Sequence, residues 1–384
     1  MQKIEEFVQV YHREKEVLEM VLSRLEHMTI CMPLWLSLDS GTRFGKIAAK
    51  DSAKDVWQAM AYQGKIHQLT GVANSIVWGS MPKNDVSRIQ EETARNGLRV
   101  DTVHAYFAGE AASYGSIANV KKEQRDLALG QIQECIQIMR ATGAKNLSLW
   151  FKDGTNYPGQ ADFTARYQRM LGVLKEAYSM LDADMTMLVE YKLFEPAMYH
   201  TDLADWGTAV AICQELGSQA KVIVDLGHHA QGTNIPATLA SVYRSGKMGA
   251  IHFNDSKYGD DDLIVGALDP FRLFLIFHEM LTQERLYGNS MEDISLVIDQ
   301  SLVVEEKLPG MLYTIENMQI AFAKALLVDV HELEARQNAN DVIGAARVLR
   351  EAYECDVRPL LRLEREKNGL PADPFAALKE EMTC

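Results

Sequence analysis

Four apolar runs in this chain each close on a carboxylate or an imidazole, and they follow one another. They read Met187-Leu188-Val189-Glu190, Val222-Ile223-Val224-Asp225, Ala250-Ile251-His252 and Leu296-Val297-Ile298-Asp299. A buried strand that ends in a polar group carries that group to the edge of its sheet. When successive strands do this, the groups converge on one face, which in a parallel barrel is the C-terminal mouth where active sites sit. A further acidic element, Asp260-Asp261-Asp262, follows the third run. Carboxylates crowded together there repel one another unless cations hold them. The pattern predicts a two-metal enzyme.

The rest of the chain supplies the frame. Short apolar runs, read as strands near 30–36, 73–78, 99–104, 146–151, 185–190, 221–225, 249–253 and 294–299, alternate with longer amphipathic ones. Helices are expected near 53–69, 85–96, 121–142, 161–180, 204–217, 234–246, 270–286 and 301–308, the last ended by Pro309-Gly310. Eight strand–helix units predict a (β/α)8 TIM barrel. One amphipathic helix over 5–28 should precede it, so that residues 1–310 form the barrel with its N-terminal helix. Residues 311–384 are expected to be a C-terminal helical extension on the barrel or on a neighbouring subunit. Two long helical patterns fill 311–364, and a third lies at 374–382.

A net charge of −14 argues against nucleic acid or an anionic membrane as partner, since both need clustered Lys and Arg. The five cysteines are scattered without a CxxC spacing, as expected of buried thiols in a reducing cytoplasm. The N-terminal segment is charged and not signal-like, and no run approaches transmembrane length. A cytoplasmic enzyme with a small-molecule substrate is the expectation.

Glu190, Asp225, His252 and Asp299 stand about one strand–helix unit apart and would hold one cation, with the Asp260–Asp262 loop lengthening the last interval. Asp225, His228, Asp260 and Asp262 would hold a second, with Asp225 bridging. Asp225 and His228 are close enough for one turn to present both. Asp260 and Asp262 alternate in what reads as an extended loop, so both can face one way while Asp261 points out. Mixed carboxylate and imidazole ligation suits manganese, cobalt or zinc better than calcium. Each acid taken singly has a blander reading, a helix N-cap or a solvated loop residue, but that does not explain four consecutive strands ending alike. Of the histidine pair His228 is the expected ligand and His229 the lesser candidate, which spacing alone does not remove. Lys192, two residues past Glu190, shares its side of the strand, where an ammonium can bond a substrate oxygen that becomes anionic.

These motifs resemble the L-rhamnose isomerase family of the xylose-isomerase-like barrels. The likeness is most specific over Val224-Asp225-Leu226-Gly227-His228-His229, His252 through Asp262, and Ile298-Asp299-Gln300-Ser301. Collinear matches at Ser40–Gly45, His67–Ala73, Gly154–Gln160, Glu190–Pro196 and Ala325–Asp329 extend it over most of the chain. The resemblance implies a structural ion at Glu190, Asp225, His252 and Asp299, and a catalytic ion at Asp225, His228, Asp260 and Asp262, manganese first and cobalt or zinc as alternatives. It makes Lys192 a contact to the substrate oxygens and Trp150 an aromatic wall of the sugar pocket. It further implies a homotetramer in which the Phe44 loop reaches a neighbour's active site.

Departures from the family pattern fall on the substrate side. The family's His-x-Pro-Trp-Asp stretch after strand two is replaced by Val77-Trp78-Gly79-Ser80-Met81-Pro82, which has no histidine. Where the family tends to have Asn-x-Asn after strand three, this chain has His104-Ala105-Tyr106, and Leu302 replaces a histidine after Asp-Gln-Ser. His104 and Tyr106 are therefore expected to supply substitute pocket groups. The activity implied is aldose–ketose isomerisation of L-rhamnose and L-rhamnulose, or of a related sugar, by a metal-assisted 1,2-hydride shift; an enediol route stays open. The rival readings are a one-metal sugar epimerase, a metal-dependent DNA phosphodiesterase disfavoured by the charge, and a non-catalytic metal-stabilised sugar-binding protein.

Overall fold

The computed structural model describes residues 2–39, 50–79, 85–107, 112, 114–195 and 199–383. Ten strands follow in chain order: β1 (Cys31–Pro33), β2 (Ser75–Gly79), β3 (Arg99–Ala105), β4 (Asn146–Trp150), β5 (Thr186–Glu190), β6 (Phe194–Glu195), β7 (Tyr199–His200), β8 (Ala220–Asp225), β9 (Met248–Phe253) and β10 (Ser295–Ile298). Eight of them form a closed parallel barrel in which β10 pairs back onto β1, while β6 and β7 make a small antiparallel pair on the loop after β5. The expected TIM barrel is thus present, with strands five to eight being β5, β8, β9 and β10.

Alternation along these strands positions the site. Met187, Val189, Val222, Val224, Ile251 and Phe253 belong to the large core shared with the helices. Their neighbours Leu188, Ile223 and Ala250 form a separate buried cluster, and Cys31, Val77 and Val297 form another. Since strand side chains point to opposite faces in turn, these second sets fill the barrel interior. Two residues beyond Leu188, Ile223, Ala250 and Val297 come Glu190, Asp225, His252 and Asp299. The four polar groups therefore stand on the packed interior layer, one step nearer the mouth.

Helices α1 (Gln2–Tyr11) and α2 (Lys15–Glu26) precede the barrel, and α3 (Val56–Thr70), α4 (Val86–Arg95), α5 (Lys122–Thr142), α6 (Phe163–Tyr178), α7 (Trp206–Leu216), α8 (Ile235–Arg244) and α9 (Pro270–Tyr287) surround it. Asp55, Asp162, Asp205 and Asp269 accept backbone N–H groups at the starts of α3, α6, α7 and α9. Helices in this topology begin on the mouth side, so these four acids are helix caps, distinct from the carboxylates that face the interior.

Three expectations need correction. The single helix over 5–28 is two helices, broken where His12 adopts φ 50°. The apolar pattern runs through the break because Tyr11 also packs inward, its hydroxyl donating to the Asp356 carbonyl. Residues 301–306 are not helical; the eighth helix is α10 (Lys307–Leu326), which packs on α9 and α3. Pro309 sits in its first turn, where a missing N–H costs nothing, and a Cβ on Gly310 would strike the Leu302 side chain. Pro-Gly begins this helix instead of ending one, and residue 310 lies inside it. Beyond α10 the chain forms α11 (Val330–Asn338), α12 (Val342–Glu354), α13 (Arg358–Lys367) and α14 (Pro374–Thr383), so 311–364 holds more than two helices. Helix α13 lies on α2, and α14 on α3 and α10. No helix among the described residues is long and apolar enough to cross a membrane.

Candidate metal centre

One ligand atom each from Glu190, Asp225, His252 and Asp299 lie within 4.8 Å of one another, as do those of Asp225, His228 and Asp260. Asp225 is common to both groups. The parallel register sets Asp225 beside His252 and Val297, two before Asp299, beside His252 on its other flank. His252 Nδ1 lies 3.3 Å from Glu190 Oε1, 3.8 Å from Asp225 Oδ2 and 3.1 Å from Asp299 Oδ2. It is buried and forms no hydrogen bond with any of them. A buried imidazole nitrogen aimed between three carboxylates fits a cation ligand, and without a cation it meets those carboxylates only as a protonated ion-pair partner.

The ligands are themselves held. Asp225 accepts from the Gly227 amide at 2.7 Å and from Asn254 Nδ2 at 3.0 and 3.2 Å. His228 Nδ1 donates to the Tyr191 carbonyl at 2.9 Å. That bond leaves Nε2 facing Asp260 Oδ1 at 3.4 Å and Asp225 Oδ1 at 3.9 Å. Trp35 Nε1 donates to Asp299 Oδ1 at 3.3 Å.

The buried acids and imidazoles of the cluster shift one another's proton affinity. Burial acts to raise the Glu190 carboxyl, but His252 and His228 outweigh it and hold it at about 2. Burial pushes Asp225 up to about 7, opposed by His228 and reinforced by Asp299, Glu190 and Asp260. Burial works against the charged form of His228, yet Asp225, Asp260 and Glu190 raise it to about 10. His252 is raised well above its ordinary value in the same way, with Glu190 and Asp299 overriding burial. Divalent cations in these positions displace such protons.

Asp262 departs from the expectation. Its carboxylate is not among the atoms gathered with Asp225, His228 and Asp260. The loop is not extended: Asp262 has φ 47°, and Asp261 closes a turn by accepting from the amides of Lys257 at 2.6 Å and Tyr258 at 2.8 Å. Burial first, and then Asp260, Asp299 and Asp225, raise the Asp262 carboxyl well above the usual range. Of the histidine pair, His228 stands among the carboxylates. His229 Nε2 lies 3.0 Å from the Tyr191 hydroxyl, and burial lowers it to about 4.

Lys192 Nζ sits 2.5 Å from Asp260 Oδ2 and 2.5 Å from Glu195 Oε2. Burial disfavours its charge, but Asp260 and Glu195 together raise its pKa. Glu195 was not foreseen; its only sequence signal is its place three residues after Lys192. Asn254 and Trp35 were also missed. The Trp150 ring lies beneath Lys192, 5.0 Å from Nζ. His104 is buried, its Nδ1 3.0 Å from Ser148 Oγ and its ring 5.9 Å from that of Trp35, and burial lowers its pKa. Trp78 packs on Trp57 at 5.7 Å in the core outside the barrel. Phe44 and its loop lie outside the described residues, as do Ser80 to Pro82. A cavity of about 320 Å³ opens beside Lys192, His228 and Asp260.

The sequence profile of the xylose isomerase-like TIM barrel family matches residues 69–280. The chain belongs to that family. Over 372 residues it is 36% identical to a protein of Mesorhizobium japonicum described as a probable sugar isomerase, across 94% of this chain and 86% of the relative. A probable sugar isomerase of Rhizobium meliloti is 35% identical over the same shares. Among solved structures, an L-ribulose 3-epimerase superposes with a TM-score of 0.54 and 15% identity, covering 85% of this chain and 97% of that one. At that identity the likeness is one of fold.

Proposed function

We propose that this chain is a metal-dependent aldose–ketose isomerase acting on L-rhamnose and L-rhamnulose or a related sugar. The observation that carries the reading is Asp225, one buried carboxylate common to two ligand groups, with Lys192 bonded to Asp260 of the second. The sugar-isomerase relatives support the reaction class, and the His252–Asp262 resemblance supports the sugar. The donor set fits two divalent ions, manganese first, with cobalt or zinc as alternatives. Glu190, Asp225, His252 and Asp299 would hold one, and Asp225, His228 and Asp260 the other, with Asp262, two residues past Asp260 on the same loop, as its proposed fourth ligand. Bound there, the ions supply Lewis-acid polarisation of a sugar carbonyl and its neighbouring hydroxyl.

The chain's own residues do the rest. Lys192 donates to the substrate oxygen that gains negative charge, while Glu195 keeps the ammonium in place. The Trp150 ring walls the open sugar chain against β4. His104, fixed by Ser148, offers its remaining nitrogen to a hydroxyl farther along. The net reaction moves one hydrogen between C2 and C1 and one proton between their oxygens. The assembly proposed from the resemblance is a homotetramer, with Phe44 reaching across a subunit boundary.

The test is turnover of an aldose and ketose panel by the manganese-loaded chain in D2O, followed by NMR. Carbonyl migration between C1 and C2 is the expected result, with hydrogen retained for a hydride shift and exchanged for an enediol. Inversion at a carbon without carbonyl migration would replace this reading with an epimerase.

A further inference from the structure

The isomerase reading leaves one charge in the mouth without a task. Lys152 follows β4, two residues after Trp150, on the same rim as the cluster. Its ammonium lies 5.4 Å from the centroid of the Trp150 ring and 5.5 Å from that of Tyr106. Among the described residues no carboxylate lies within 4.0 Å of it, although the chain carries 53 acidic against 39 basic residues. Lys192, whose ammonium lies 5.0 Å from the centroid of the same indole, has two carboxylates at 2.5 Å. Trp150 Nε1 is also buried, without an acceptor among the described residues.

Lys152 is not a loose surface lysine. The Tyr199 hydroxyl donates to its carbonyl. Phe151 before it stacks on Phe107 at 5.1 Å. Asp153 after it accepts from the amides of Ser116 and Ala118 at 2.6–2.8 Å and from the Ser116 hydroxyl at 2.6 Å. The backbone is thus pinned on both sides, and two aromatic faces hold the ammonium, whose N–H groups meet no acceptor among the described residues. On the β3–β4 side the mouth offers donors lacking acceptors; on the β5–β10 side it offers carboxylates and imidazoles suited to cations. A molecule that matches both has chelating oxygens at one end and an acceptor-rich, negatively charged group at the other.

We propose that Lys152 recognises an anionic substituent, a carboxylate or a phosphate, on the end of the sugar remote from the ions, so that the substrate is an acidic sugar. This deepens the isomerase reading and rests on it. It also gives a physical sense to the altered segments after strands two and three, which would suit a neutral sugar poorly if the pocket now serves a charged one.

The experiment compares matched sugars on the manganese-loaded full chain: a neutral hexose, its hexuronate and its 6-phosphate. One acidic member should exceed the neutral one by about tenfold or more in kcat/KM, and the two acidic arms separate carboxylate from phosphate. The advantage should shrink with added salt, because the contact is charge-dependent. Lys152→Met should bring the acidic-to-neutral ratio close to one, and Lys152→Arg should keep most of it. A neutral sugar turned over as well as its acidic partners, or a ratio unchanged in Lys152→Met, overturns the inference and leaves the isomerase reading standing. If no sugar is turned over, that reading fails. Calorimetric binding of a hexonate against its hexitol then still decides, with tighter hexonate binding lost in Lys152→Met supporting the role of Lys152 and equal binding refuting it.

Discussion

On the β5, β8, β9 and β10 side of the mouth, Glu190, Asp225, His252 and Asp299 are strand residues or direct continuations of strands. Each stands two residues past a side chain that packs the barrel interior. On the β1–β4 side, Trp35 comes from the short helical turn Leu34–Leu36, Lys152 from a loop, and His104 and Trp150 from strand ends whose neighbours are loops. The first group is positioned by the closed hydrogen-bond ladder, which cannot shift one strand end without shifting its neighbours. The second depends on loops that can change without disturbing the barrel. A cation site built on the first and a substrate pocket built on the second can therefore diverge independently, so the reaction and its sugar need not be inherited together.

The largest effect expected on the cation side comes from Asp225→Asn. Removing the shared carboxylate should weaken binding of both ions by about 100-fold or more and abolish turnover. The metal-free variant should be no less stable than the metal-free parent, since burial and three like charges already push this carboxyl up to about 7. Calorimetric metal titration and thermal melts check both halves. A variant that still binds two ions would undo the contrast between the sides.

His104→Ala should act on the other side alone. A fall of about tenfold in kcat/KM, the scale of one hydrogen bond, is expected with ion affinity unchanged. An equal loss of ion affinity would mean that the two sides are not separable.

The smallest effect is on pH dependence. Asp225 is raised to about 7 and His228 to about 10, so both bind protons more tightly in the folded, metal-free chain than when unfolded. The stability they contribute is present below the unfolded values and is lost as pH rises through about 7 and then about 10. Ion-loaded protein holds these groups deprotonated and escapes that slope. The difference in Tm between loaded and metal-free chain should therefore widen from pH 6 to pH 9; a constant difference would show that the ions do not replace protons at these residues.

The same contrast explains what the sequence made legible. Strand-end ligands are readable because period-two alternation fixes their face wherever the strand is buried, and four in succession leave few alternatives. The Asp260–Asp262 loop was only half readable. Asp260 does reach His228, but the positive φ of Asp262 and the turn closed by Asp261 are backbone choices that an alternating pattern does not reveal. Pro309-Gly310 misled because the pair can open a helix as well as end one, and the outcome depends on Leu302 packing over Gly310. Glu195 and Trp35 act through contacts formed by tertiary placement, an ion pair across a loop and an indole reaching Asp299.

The most direct measurement is the number of divalent ions per chain. After dialysis against manganese and removal of free ion, elemental analysis should find two equivalents, both lost together in Asp225→Asn. One equivalent, or a count indifferent to Asp225, would contradict the shared-carboxylate site on which the account rests.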